Sequence, residues 1–362
     1  MLVAVTLEQL WDPVPGGTGV AALRMIEAIS AHGGVDVVGV AGRHRRVLTA
    51  PWAPSVPIVQ MPVPSRLVYD SWLRLRRPLV ERYVPRADVV HAMSIFVPPT
   101  RRPLVVTLHD LAFLHDASMF TRRGVGMFQR GLVAIKRHAD LVLCSSFATM
   151  DDASAAGIVG DRLRHVPLGV APAAAVDPAE VDRVRRTHRL PQRYILAVGT
   201  REPRKNLARL FLAFDRFAIE HPDIDLVVVG PSGWGDDAVP PAATAGRVHA
   251  TGFVSDVDLC VIYSEALVFC YPSLREGFGL PILEAMAHGL PVVTSAGTST
   301  AEVAGEVGFL VDPTSVDDIA SGLHDAVEHG HLRRSAALER AGGYNWSATA
   351  DRVVSAYDEV RA

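Results

Sequence analysis

A rhythm that runs twice along the chain constrains its fold more than any other feature. Short runs rich in Val, Ile and Leu alternate with amphipathic stretches, and a proline-rich break separates the first series from the second. In the first series, residues 2–6, 35–40, 58–61, 89–91, 104–108 and 141–144 read as strands. Residues 19–31, with Val20, Leu23, Ile26 and Ile29 on one face, read as a helix. Pro167, Pro172 and Pro178 then bracket an alanine run that reads as a linker. The second series places strands at 194–198, 225–229, 248–251, 267–270 and 291–295, and helices at 207–220, 255–264, 281–288, 316–328 and 347–360. A short strand that is apolar throughout is buried on both faces and belongs to a parallel sheet, and parallel neighbours need helical crossovers. With 362 residues there is material for two such domains. The expected fold is α/β: two doubly wound, Rossmann-like parallel-sheet domains facing a central cleft, with ligands at the carboxyl ends of the strands.

Composition matters here for what it excludes. An apolar fraction of 49% with 21% charged residues is that of a globular chain and not of a disordered one. The longest apolar candidate, residues 259–272, carries Tyr263, Ser264 and Glu265 and is too short to span a bilayer. Residues 1–10 have no basic stretch and include Glu8, so no secretory signal is expected. Cys144, Cys260 and Cys270 show no metal or redox spacing, which makes a reducing cytoplasm the default compartment. Charge is unevenly spread. Up to Val170 there are 19 Lys and Arg against 13 Asp and Glu, a balance of +6; the remainder has 17 against 26, a balance of −9, which together give the net −3. Different partners for the two halves are expected. The chain is acidic overall and has no recognisable reading motif, which argues against nucleic acid.

Four segments carry chemistry. In the string from Glu276 to Ala287, Gly277 and Gly279 form a tight loop and Pro281 suits a first helical turn. The amides of Phe278, Gly279 and Leu280 would meet an anion at the helix start, with Glu276 on one side and Glu284 on the other to accept sugar hydroxyls. In the segment from Val198 to Leu207, Gly199 turns the chain, Arg204 and Lys205 precede a helix, and Asn206 is the expected N-cap. Cations oppose the helix dipole there, so the pattern makes sense if an anion binds between them. Lys205 is one of only two lysines, the other being Lys136. Third, Gly16, Gly17 and Gly19 follow the first strand, but Ala22 breaks a dinucleotide fingerprint and no P-loop Lys follows. Fourth, His109 and Asp110 end a strand, where His109 could bind a hydroxyl or move a proton. The Asp223/Asp225 and Asp256/Asp258 pairs are read as a strand start and a helix start, so no metal site is expected.

With these segments in place, the chain resembles the family 4 retaining glycosyltransferases of GT-B fold over nearly its full length. The most specific match is the Glu-x7-Glu motif, Glu276 and Glu284 within EGFGLPILEAMAHGLPVV, followed by Arg204 and Lys205 in VGTREPRKN. Weaker matches are Gly16-Gly17, His109-Asp110, Cys144-Ser145-Ser146, the segment from Val166 to Val170, and Gly252-Phe253-Val254. The resemblance implies residues 1–170 as the acceptor-side domain and residues 171–345 as the donor-binding domain. It also implies that residues 346–362 form a helix crossing back to the first. Arg204 and Lys205 would bind the donor diphosphate as it leaves. Glu284 would hold the ribose and Glu276 the transferred sugar, while Phe278, Gly279 and Leu280 would contact phosphate or sugar. Gly17 and Gly199 would let the backbone approach the donor, His109 would contact the sugar, and backbone at Val254 would read the base. No metal or other cofactor is implied beyond the nucleotide-sugar co-substrate. The family retains anomeric configuration, with a departing phosphate oxygen taking the acceptor proton, so no general base is named.

The segment from His109 to Thr121 is similar to mannosyltransferases of surface-polysaccharide pathways, which favours GDP-mannose over UDP-glucose-type or dTDP-rhamnose donors, with a glycan or lipid-linked acceptor. The basic stretch 66–86, with Arg74, Arg76, Arg77 and Arg82 beside Leu67, Tyr69, Trp72 and Leu73, fits contact with an anionic membrane or lipid-linked acceptor, and equally a solvated basic helix. The protein is thus expected in the cytoplasm, peripheral to the inner face of the membrane if that contact is made. Two other classes compete: an inactive sugar-nucleotide-binding scaffold on the same fold, and a two-domain Rossmann oxidoreductase.

Overall fold

The computed structural model describes residues 1–12, 15–234 and 238–362. They form two compact units, Met1–Gly169 with Trp346–Ala362, and Val170–Asn345. The first unit holds strands β1 (Leu2–Thr6), β2 (Asp36–Arg43), β3 (Ile58–Pro64), β4 (Val89–Ala92), β5 (Leu104–Leu108), β6 (Leu141–Cys144) and β7 (Leu163–His165). They make one seven-stranded sheet in the order β3-β2-β1-β4-β5-β6-β7, parallel throughout. Strands β4, β5 and β6 are buried along their whole length, as their unbroken apolar composition requires. The order reverses between β1 and β4, and helix Gly16–His32 forms the crossover from β1 to β2.

Helix Trp346–Arg361, the last in the chain, packs beside helix Gly16–His32 of the first unit. Its Tyr357 is fully buried, and the hydroxyl reaches His91 Nδ1 at 2.6 Å; His91 Nε2 in turn meets Thr107 Oγ1 at 2.8 Å. Burial first, and the nearby His109 second, push the His91 pKa down to about 3, so the ring is neutral. A neutral ring donates through one nitrogen and accepts through the other, which is what two hydroxyl neighbours demand. Thr349 Oγ1 donates to the Pro167 carbonyl at 2.8 Å and closes the near end of the helix onto the same unit.

The second unit holds β8 (Tyr194–Val198), β9 (Asp225–Val229), β10 (Val248–Gly252), β11 (Val268–Tyr271), β12 (Val292–Ser295) and β13 (Phe309–Val311). They form a six-stranded parallel sheet in the order β10-β9-β8-β11-β12-β13. The order reverses between β8 and β11, so the loops leaving these two strands flank the switch point, where open α/β sheets bind ligands. Phe214, Phe217, Leu210 and Ile224 pack under the sheet with Ile195, Leu226 and Val228.

Three sequence expectations change. Strands β7 and β13 were not foreseen, because three residues carry no usable period. Pro178 is not linker: it opens helix Pro178–His188, with the Asp177 carboxylate accepting from the Ala179 amide at 2.8 Å, since proline's missing N–H costs nothing in a first turn. The basic stretch 66–86 is not one helix. Helix Ser65–Asp70 passes into a wider turn, Ser71–Leu75, and Arg76 is left-handed with its guanidinium turned onto the carbonyls of Trp72 and Val97. Trp72 is fully buried and Tyr69 stacks on Phe96, so of the apolar residues expected to face outward only Leu67 is exposed.

Candidate active site

The loop after β8 starts at Gly199, whose φ of +148° suits glycine. A Cβ there would come within 3.2 Å of Lys205 Cε, so the missing side chain is the space through which the lysine passes. Glu202 is extended, Pro203–Lys205 forms a single 3-10 turn, and Asn206 is left-handed at φ 60°. Asn206 stands at the expected N-cap position but makes no side-chain cap. Its amide instead donates to the carbonyls of Pro272 (3.0 Å) and Pro313 (2.6 Å), tying this loop to those that follow β11 and β13. The Leu274 amide donates to the Arg204 carbonyl at 2.9 Å and closes the two switch-point loops on each other.

That closure brings together four charged side chains, each between 4% and 16% exposed. Arg204 donates to Glu202 Oε1 through Nε (3.1 Å) and Nη2 (2.9 Å), while its Nη1 lies 3.2 Å from Glu276 Oε2. Lys205 Nζ is 2.7 Å from Glu276 Oε1 and also reaches the Tyr271 hydroxyl, which donates to Glu276 Oε1 at 3.1 Å. Burial alone would raise the Glu276 pKa, but Arg204 and Lys205 override it and hold the carboxyl down to about 2. Burial likewise works against the Lys205 ammonium, yet Glu276 keeps its pKa above the ordinary value. The Tyr271 phenol is pushed up to about 12, by burial first and then by Glu276. The Glu276 carboxylate and the Lys205 ammonium are therefore both charged at neutral pH. Glu276 occupies, within the chain itself, the place between Arg204 and Lys205 where the sequence reading expects a bound anion.

Beyond Glu276 the chain turns at Gly279 (φ +117°) into helix Leu280–Ala287. Ser299 Oγ donates to the Glu276 carbonyl at 2.6 Å and fixes the loop from beneath. Phe278 is buried and meets Tyr344 edge-on, with centroids 5.9 Å apart. The first amides of a helix have no partner within it, and Leu280 stands at that end. Glu284 lies one turn further on, in helix Leu280–Ala287. Its Oε2 accepts from the Tyr263 hydroxyl at 2.9 Å, and Tyr263 is buried against the His288 ring. Val254 is buried just past β10, behind left-handed Gly252, whose carbonyl accepts from Gly230 N at 2.9 Å.

Gly17 and His109 lie in the first unit. Gly17 sits in the first turn of its helix, and a Cβ there would meet nothing within 4 Å, so packing does not require glycine. His109 donates from Nε2 to the Met93 carbonyl at 3.2 Å, and burial lowers its pKa, which leaves a neutral ring that offers Nδ1 as an acceptor. Sequence reading missed Glu202, Tyr271 and Tyr263 as site residues. Glu202 was detectable as a lone acid two residues before Arg204; the two tyrosines end a strand and line a helix, where an aromatic signals only packing. Among the described residues, no three His, Cys, Asp or Glu side chains are grouped to hold a metal. Asp225 pairs with Arg247 and His249, and Asp258 with Arg183 and His188. The arrangement can hold a diphosphate on two cations and offer carboxylates to hydroxyls.

Residues 15–174 match the model of Glycosyltransferase Family 4, and residues 179–341 that of Glycosyl transferases group 1. The chain is 31% identical over 284 residues to O-antigen chain mannosyltransferase B of Escherichia coli, covering 74% of each chain. It is 30% identical to the MMP alpha-(1->4)-mannosyltransferase of Mycolicibacterium hassiacum, over 72% of this chain and 66% of the other. Among solved structures it is similar to HepE of Anabaena in complex with UDP and glucose, with a TM-score of 0.78 at 18% identity over 99% of this chain and 100% of that one. Sucrose-phosphate synthase of Thermosynechococcus elongatus gives a TM-score of 0.76 at 20% identity, over 99% and 98%.

Proposed function

The chain belongs to the family 4 glycosyltransferases, with the GT-B fold, and on that footing we propose that it moves mannose from GDP-mannose to a hydroxyl of a glycan or lipid-linked acceptor, with retention and without a metal. One observation carries this reading: Arg204, Lys205 and Glu276 converge, buried, on the β8/β11 switch point of the second unit. Two preorganised cations in a site of low dielectric stabilise the negative charge that develops as the diphosphate departs. They supply the charge that a divalent ion would otherwise bring. Glu284, held by Tyr263, takes the ribose hydroxyls, and Glu276 takes hydroxyls of the transferred sugar. Mannose is favoured because the two relatives above are named mannosyltransferases. UDP-glucose is the competing donor, since HepE holds UDP.

The acceptor is assigned to the first unit. Exposed Arg66, Arg74, Arg77 and Arg82, with Leu67 and Leu75 outward among them, support contact with an anionic or lipid-linked molecule. Among the described residues, no helix is long and apolar enough to cross a membrane. The test is a melting-temperature panel of GDP, UDP, dTDP and their sugar conjugates, each with and without EDTA and with NADH as control. A ligand at about 100 times its Kd adds about 2.7 kcal/mol and raises Tm by several degrees. GDP and GDP-mannose should do so. A response to UDP alone would overturn the donor, and one that disappears on chelation would overturn metal independence.

A further inference from the structure

Glu276 is paired with both Arg204 and Lys205, so a diphosphate approaching this cluster finds a carboxylate already on the two cations it needs. The geometry separates what must leave from what can stay. Glu202 takes Nε and Nη2 of Arg204 while Nη1 faces Glu276, so the Glu202 contact keeps the guanidinium oriented when another anion takes the place of Glu276. Glu276 Oε1 rests on Lys205 and also on a neutral donor, the Tyr271 hydroxyl, at the carboxyl end of β11. Ser273, fully buried beside it, also donates toward the Glu276 carboxylate and helps to hold its pKa down. A carboxylate that gives up two cations in a buried site needs replacement donors, because leaving it unpaired is costly.

We propose that Glu276 is an internal stand-in for the donor diphosphate, and that Tyr271 is the positioning residue that keeps hold of Glu276 when the diphosphate displaces it. This rests on the donor-site reading above. A free nucleoside diphosphate takes the cations and returns nothing to Glu276. A sugar nucleotide takes the same cations and returns hydroxyls, which donate to the released carboxylate. The exchange therefore favours the intact donor over the spent nucleotide at one and the same phosphate site, which is selection by a penalty on the wrong ligand. Tyr271 narrows where the released carboxylate can go, so the sugar meets an acceptor already in place.

The experiment is calorimetric titration of the full chain with GDP and GDP-mannose, and in parallel UDP and UDP-glucose, on the natural protein, Glu276→Gln and Tyr271→Phe. Steady-state rates and melting temperatures are taken on the same samples. Glu276→Gln should bind the nucleoside diphosphate about tenfold more tightly, lose the preference for the sugar nucleotide, and drop about 100-fold in kcat. Tyr271→Phe should keep nucleoside diphosphate affinity within about twofold, while the sugar nucleotide's advantage shrinks about fivefold and kcat falls about tenfold. If Glu276→Gln does not fold, Tyr271→Phe decides alone. Nucleoside diphosphate binding that is unchanged or weaker in Glu276→Gln overturns the exchange and leaves the donor site standing. A Tyr271→Phe variant that weakens both ligands alike overturns the positioning role. A natural protein that binds none of the four nucleotides overturns the donor reading and the exchange together.

Discussion

Replacing Glu276 by Gln should flatten the acid side of the stability curve. The Glu276 carboxyl is lowered from an ordinary 4.5 to about 2; burial opposes that shift, and Arg204 and Lys205 produce it. A carboxylate with a depressed pKa adds stability that is complete above its unfolded value and is lost as pH falls through its folded one. Here the window runs from about 4.5 down to about 2. The difference, about 2.5 on the pH scale at 1.36 kcal/mol for each, amounts to about 3 kcal/mol, of which about 1 kcal/mol is gone by about pH 3.5. Urea unfolding of the natural protein and Glu276→Gln across this range gives the difference directly. Other titrating groups, buried His91 among them, are common to both proteins and cancel. The variant should be less stable by at least about 3 kcal/mol near neutral pH, with the gap closing by about 1 kcal/mol at about pH 3.5. The cost of leaving two cations short of a carboxylate does not depend on pH in this range and does not alter the slope. A constant gap would refute the reasoning, since Glu276 would then not be an ionised partner of both cations.

Lys205→Met should lower kcat by about 10²- to 10³-fold, the usual cost of removing one donor from a developing anion, and should also lower stability by about 3 kcal/mol because it leaves buried Glu276 short of one cation; a fully active variant would remove Lys205 from the site. Tyr263→Phe deletes the 2.9 Å bond that orients Glu284, so affinity should fall about threefold to tenfold for a ribonucleotide and hardly at all for its 2′-deoxy analogue; equal losses for both would separate Glu284 from the ribose. Tyr357→Phe leaves buried His91 without its 2.6 Å partner and should cost about 1–3 kcal/mol in unfolding of the first unit, with turnover unchanged at permissive temperature. Because His91 is neutral when folded, its contribution is present above about pH 6.5 and lost as pH falls toward about 3, which a pH series of Tm on the natural protein and His91→Phe would reveal as a shallower acid slope in the variant.

The division between what was legible in the chain and what was not follows the range of the forces involved. Local sequence determined the α/β class, most strand positions and the two loops of the site, because apolar period, glycine at left-handed turns and proline at a helix start act over a few residues. It also placed Arg204, Lys205 and Glu276 at carboxyl strand ends, where an α/β sheet binds ligands. Only the tertiary structure decided what these groups do to one another. Glu276 lies 71 residues from Lys205, and their contact depends on β8 and β11 being neighbours across the point where the strand order reverses. The same pairing recruits Tyr271, turns Asn206 from a cap into a tie between loops, and makes Glu202 the fixed partner of Arg204. Helix Trp346–Arg361 gives the same lesson at larger scale: its period marks it as a helix and the family resemblance implied its return to the first unit, but the contacts that hold it there, to helix Gly16–His32 and to His91, 266 residues away from Tyr357, belong to the folded chain. Charge, burial and hydrogen bonding at that separation are properties of the folded topology, and no window of sequence contains them.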